Sequence, residues 1–106
     1  MTDKPIPIDL VPFAQMLGGS REFLRVWAQQ KGQVTCFVNP RALGADPALF
    51  GVALVDSTRH AAAAWAKATG LPEQETLVRI WEGIDAERHT PTNDRPLPEA
   101  AARKDD

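Results

Sequence analysis

The sequence has one cysteine and two histidines, no clustered run of lysine and arginine, and no stretch that approaches the ~20 uninterrupted apolar residues of a membrane-spanning helix. Each shortage excludes something. Cys36 is alone, so no intrachain disulfide can staple the fold. Cys36, His60 and His89 are the only nitrogen or sulfur ligands and show neither C-x-x-C nor H-E-x-x-H spacing, so no metal site is expected. A net charge of −2 without a basic stripe argues against a nucleic-acid partner. The N-terminus lacks a continuous apolar core of the kind that directs export, so neither secretion nor membrane insertion is expected. A cytoplasmic location, with which one free thiol agrees, is the default expectation. Gly18-Gly19-Ser20 runs into a predicted strand, whereas a phosphate cradle needs a helix there, so no cofactor is expected. No residue is assigned a catalytic role.

What the sequence does have is a long apolar helix, predicted between Asp46 and Gly70. Asp46 is a suitable N-cap, Pro47 suits the first helical position, Gly70 supplies a left-handed closing residue, and Pro72 stops continuation. At 100° per residue, Phe50, Leu54, Ala61, Ala64, Trp65 and Ala68 form one apolar stripe, which Val55, Ala62 and Ala66 widen beyond the usual width of a surface helix. The run Ala61 to Ala64 has little bulk and permits close approach by another element. Gly51 is expected to permit close packing against the preceding strands. A second, ordinarily amphipathic helix is predicted from about Pro72 to Arg88, with Leu77, Ile80, Trp81 and Ile84 on one face.

Glu22 to Val38 reads as a β-hairpin around Gln30-Lys31-Gly32. A three-residue loop aligns Leu24, Val26 and Ala28 with Val34, Cys36 and Val38 on one aliphatic face, whereas a two-residue loop mixes polar and apolar residues. The opposite face then carries Phe23, Trp27 and Phe37 around Arg25, with Arg25 in reach of a ring face. Cys36 is expected to be a small buried hydrophobe.

These elements predict an α+β domain, an antiparallel hairpin packed against two antiparallel helices (ββαα), with flexible termini. Residues 1–19 form an N-terminal arm, poorly ordered or with a short helix over Val11 to Leu17; residues 20–89 form the single domain; and residues 90–106 are a disordered charged tail. About 70 foldable residues make a marginal core, for which oligomerisation is a common remedy. Two groups are candidate sites. Asp56, Arg59 and His60 share a polar strip on the long helix and form a candidate ligand-binding site, while Phe23, Arg25, Trp27 and Phe37 form a candidate interface.

Phe23-Leu24-Arg25-Val26-Trp27, Asp46-Pro47 with Phe50-Gly51, Leu54-Val55-Asp56 with Arg59-His60, and Asp85-Ala86-Glu87 with Pro91-Thr92 together resemble a family of small, mostly proteobacterial proteins, domain of unknown function 5076. The resemblance implies a small cytoplasmic α+β domain and brings no catalytic residues with it. The expected function is that of a non-enzymatic homodimeric interaction module. The alternative is a small-molecule-binding protein or small enzyme using Asp56, Arg59 and His60, and a protein partner for the C-terminal tail is a further expectation.

Overall fold

A computed structural model describes residues 3–30 and 34–91. An irregular arm leads through a 3-10 turn, Val11–Phe13, into strands β1 (Leu24–Ala28) and β2 (Val34–Val38). A second 3-10 turn, Pro40–Ala42, precedes helices α1 (Ala48–Thr69) and α2 (Glu73–His89). The order is the ββαα that the periodicities predict.

The strands pair antiparallel with Leu24 opposite Val38, Val26 opposite Cys36 and Ala28 opposite Val34, which is the all-aliphatic register. The turn residues 31–33 lie outside the described residues. The Asn39 N–H donates to the Phe23 carbonyl at 2.8 Å, so this pair, and by alternation Arg25 with Phe37 and Trp27 with Thr35, occupies hydrogen-bonded positions. Leu24, Val26 and Ala28 on β1, and Val34, Cys36 and Val38 on β2, therefore turn their N–H and C=O groups to the two open edges.

The ends of α1 follow from local chemistry. The Asp46 carboxylate accepts from the Ala48 N–H at 3.0 Å, and the helix is counted from Ala48, one residue after Pro47, whose own dihedrals are already helical. Gly70 closes it at φ 80°, donating to the Ala66 carbonyl at 2.8 Å. Inside the helix, the Ser57 and Thr58 hydroxyls donate to the carbonyls of Ala53 and Leu54 at 2.8 Å, so neither is left seeking a partner.

The two helices pack on each other across the short connection from Gly70 to Pro72. Among the described residues only Ala62, at 1% exposure, and Thr76, at 6%, are buried. The Thr76 hydroxyl donates to the Pro72 carbonyl at 3.0 Å, which satisfies the one buried polar side chain. Thr58 and Ala66, one turn to either side of Ala62, are half-buried. Small side chains are thus the most buried of the helical pair, Leu77, Ile80, Trp81 and Ile84 of α2 are half-buried, and Trp65 of the apolar stripe is left 60% exposed.

Two expectations are corrected here. Cys36 is exposed, because among the described residues no element covers the aliphatic face of the hairpin, where Val26, Val34 and Val38 stand about half exposed. A Cβ on Gly51 would meet nothing within 4 Å, so no strand packs closely there.

Residues 3–10 form no helix or strand, and the Asp9 carboxylate accepts from the Val11 N–H at 3.0 Å where the chain turns. The helix expected over Val11 to Leu17 is reduced to one 3-10 turn and a series of local turn bonds ending with Ser20 N–H to Leu17 carbonyl. The expected disordered tail lies, from residue 92 on, outside the described residues.

Two glycine substitutions separate strain from propensity. Gly70→Ala places a Cβ in a left-handed conformation and is expected to cost about 1–2 kcal/mol. Gly51→Ala, in an open helix interior, is expected to gain up to ~1 kcal/mol. Urea titration followed by circular dichroism measures both, and equal effects of the two would contradict the Gly70 cap.

Candidate interaction surface

The aromatic face of the hairpin is the most built surface of the chain. Arg25 stands opposite Phe37, and Trp27 opposite Thr35, so the ladder alternates cation, ring and hydroxyl across the two strands. Phe23, Arg25, Trp27 and Phe37 line an open groove of about 360 Å³, bordered by Glu22 and Asn39. The Phe37 side of that groove is open, with the residue 61% exposed. The structure therefore brings together all four residues of the candidate interface.

Two contacts fix this face. Phe23 meets Phe50 of α1 edge to face, with centroids 6.2 Å apart and planes at 89°, a geometry that the ring quadrupoles favour. Arg25 lies not over a ring, as the sequence suggests, but in the fork of Glu22. Its Nε donates to Oε2 at 2.9 Å, and its second contact runs from Nη2 to Oε1. The hydrogen bond from Arg25 holds the Glu22 carboxyl below the usual carboxylate range, and the same bond raises the guanidinium. Toward the turn, the Gln29 amide donates to the Thr35 hydroxyl at 2.6 Å.

Sequence reasoning missed Glu22 and Phe50. An acid three residues before Arg25 is visible in the sequence, but its spacing signals a pair only in a helix. Nothing local points from Phe23 to Phe50, which is a contact between distant segments.

The polar strip of α1 has a different character. His60 Nε2 lies 3.7 Å from Asp56 Oδ2, with the side chains 82% and 74% exposed, and Arg59 is exposed beside them. The helix brings Asp56 and His60 within 3.7 Å of each other in open solvent, a surface pairing of the kind that contributes little. Among the described residues no group of three or more histidine, cysteine, aspartate or glutamate side chains is arranged to hold a metal ion. No helix among them is long and apolar enough to cross a membrane.

The family model of the domain of unknown function DUF5076 matches residues 9–92. The chain belongs to the DUF5076 family. No curated protein matches it. A solved structure described as a "putative pyruvate dehydrogenase" from the photosynthetic bacterium Rhodopseudomonas palustrus is similar, with 29% identity and a TM-score of 0.59, over 91% of this chain and 94% of that one. The DUF5076 match takes in the hairpin, both helices and the turn bonds that precede them.

The Glu22 fork gives a pH test with a definite sign. Its carboxyl is depressed in the folded chain, so the pair's contribution is complete above the ordinary carboxylate range and is lost as pH falls through the depressed midpoint. In Arg25→Gln, carboxyl-detected NMR is expected to show the Glu22 midpoint moving upward toward the unperturbed value. An unchanged midpoint would show that Arg25 is not its cause.

Proposed function

We propose that this DUF5076 protein is a small cytoplasmic, non-enzymatic interaction module that works as a homodimer. The observation that carries the reading is the imbalance of burial. Among the described residues only Ala62 and Thr76 are buried, while Phe37, Val26, Val34 and Val38 on the hairpin and Val52 and Trp65 on α1 are 46–66% exposed. Both faces of a two-stranded hairpin stand open, and such a hairpin is at best marginally stable in water.

Magnitudes support a second subunit over a chance patch. Burying one large apolar side chain yields about 1.5–3 kcal/mol, and association costs about 4–15 kcal/mol. The six side chains named above are each about half exposed, so they have about half that yield left to give, about 5–9 kcal/mol per copy and about twice that for two copies, which is on the scale of the cost. Exposed apolar surface on this scale marks an interaction site in a soluble chain.

A ligand site on Asp56, Arg59 and His60 draws no support from a surface pairing standing 74–82% exposed. The activity in the description of the R. palustrus structure belongs to that protein, and no residue here is given a catalytic role from it.

Sedimentation velocity tests the proposal. The full chain is expected to sediment as a dimer at micromolar concentration. Trp27→Glu and Phe37→Glu are expected to shift it toward monomer by at least tenfold in dissociation constant, with helical circular dichroism retained. A sharp monomer at all concentrations would overturn the homodimer, and parallel loss of helix would place Trp27 in the monomer's own interior.

A further inference from the structure

The N-terminal arm has the chemistry of a missing strand. Ile6 and Ile8 are 89% and 83% exposed, in a segment without regular secondary structure whose alternating prolines favour extended backbone, and their N–H and C=O groups take part in no backbone hydrogen bond among the described residues. Pro5 and Pro7 alternate with them. Proline has no N–H to donate, and successive residues of a strand face opposite edges, so every missing donor falls on one edge of the arm. The other edge, that of Ile6 and Ile8, keeps its full set. The arm is therefore a strand able to pair on one side only. Leu10 ends it, because its carbonyl already accepts from Phe13 at 2.9 Å.

The hairpin offers the complement. β2 is the more exposed strand, and its open edge presents the backbone groups of Val34, Cys36 and Val38. In an antiparallel ladder, residues that exchange both hydrogen bonds stand opposite each other with side chains on the same face. Pairing through the proline-free edge thus puts Ile6 and Ile8 on the face of Val34, Cys36 and Val38, the aliphatic face that no described element covers. Pairing through the proline edge would put the isoleucines among the aromatics and forfeit the donors. Backbone supply and side-chain chemistry select the same arrangement.

The arm does not reach its own hairpin. Residues 11–20 are drawn into successive local bonds, Ala14 to Val11, Leu17 to Phe13, Gly18 to Gln15 and Ser20 to Leu17, which leave Ile6 and Ile8 standing clear. We infer that the arm is exchanged: the Ile6–Ile8 strand of one copy adds antiparallel to the β2 edge of a second copy, and the second copy returns the same contact. Reciprocal exchange closes a two-fold dimer. Residues 3–20 with β1 and β2 fall in the range of about 20–30 residues per side that a stable interface uses. This inference rests on the homodimer proposed above and adds, to the aromatic face tested there with Trp27 and Phe37, a second contact on the aliphatic face and β2 edge.

Cys36, the only cysteine, makes the contact testable. Chains carrying Ile8→Cys with Cys36→Ser are mixed with size-tagged chains that retain Cys36, left to exchange subunits, and mildly oxidised. The expected product on a non-reducing gel is a disulfide between the two kinds of chain, several-fold more abundant than with Asp9→Cys in place of Ile8→Cys, because neighbours across a ladder lie within the ~4.4–6.8 Å between Cα atoms that a disulfide spans. Independently, Ile6→Asp with Ile8→Asp is expected to weaken the dimer at least tenfold in sedimentation. A dimer that forms no such disulfide and tolerates both aspartates would overturn the exchange while leaving the homodimer intact. An internal disulfide in the Ile8→Cys chain with Cys36 present, running at monomer size, would show that the arm covers its own hairpin. A monomer at every concentration would remove the homodimer and the exchange together.

Discussion

Close approach of α1 to α2 through small side chains is the constraint on which the rest of this structure depends. Ala62 on α1 and Thr76 on α2 are the residues most removed from water among those described. Alanine and threonine allow two backbones to come near, but they carry little apolar area, so the interior they form is thin. Apart from Phe50, which meets Phe23, large side chains of α1 such as Val52 and Trp65 are left open, as are those on the two faces of the hairpin. A chain built this way has its packing surface in place but not yet used.

The hairpin turns that surplus into an ordered surface. Its register sorts the side chains into one aliphatic and one aromatic face, and its hydrogen-bond alternation decides which backbone groups remain for another strand. On the aromatic face, Glu22 neutralises Arg25 and spares the groove an unpaired cation. On the aliphatic face nothing polar intervenes. The two faces therefore differ in what they can receive, one suited to rings and the other to branched aliphatic side chains.

Much of this was legible in the sequence where the determining chemistry is local. Asp46, Gly70 and Pro72 placed the ends of the helices to within a residue, because caps and breakers act over one turn. The strand register followed from demanding one consistent face, and the aromatic cluster followed from the register. What was not legible depends on distant partners. Amphipathic periodicity ranks arcs of a helix by bulk, which favours the Phe50 and Trp65 stripe, whereas the most buried residue of α1 is the small Ala62. Cys36 was expected to be buried on the assumption that one chain covers its own aliphatic face, and it is exposed because that cover is absent among the described residues. The Asp56 and His60 pairing was readable from spacing alone, but its open setting was not.

The edge-to-face contact of Phe23 with Phe50 joins the hairpin to the helical pair, and a pair of this kind is worth about 0.5–1.5 kcal/mol beyond the area it covers. It acts as a pivot more than as a weld. Substitutions on the faces of the hairpin have few neighbours through which to disturb Ala62 or Thr76, and changes at sites without shared partners combine nearly additively. The two halves of the chain are thus free to drift separately. Substitutions on the hairpin faces can accumulate while the helical pair stays as it is, so one half of this small fold can change without cost to the other.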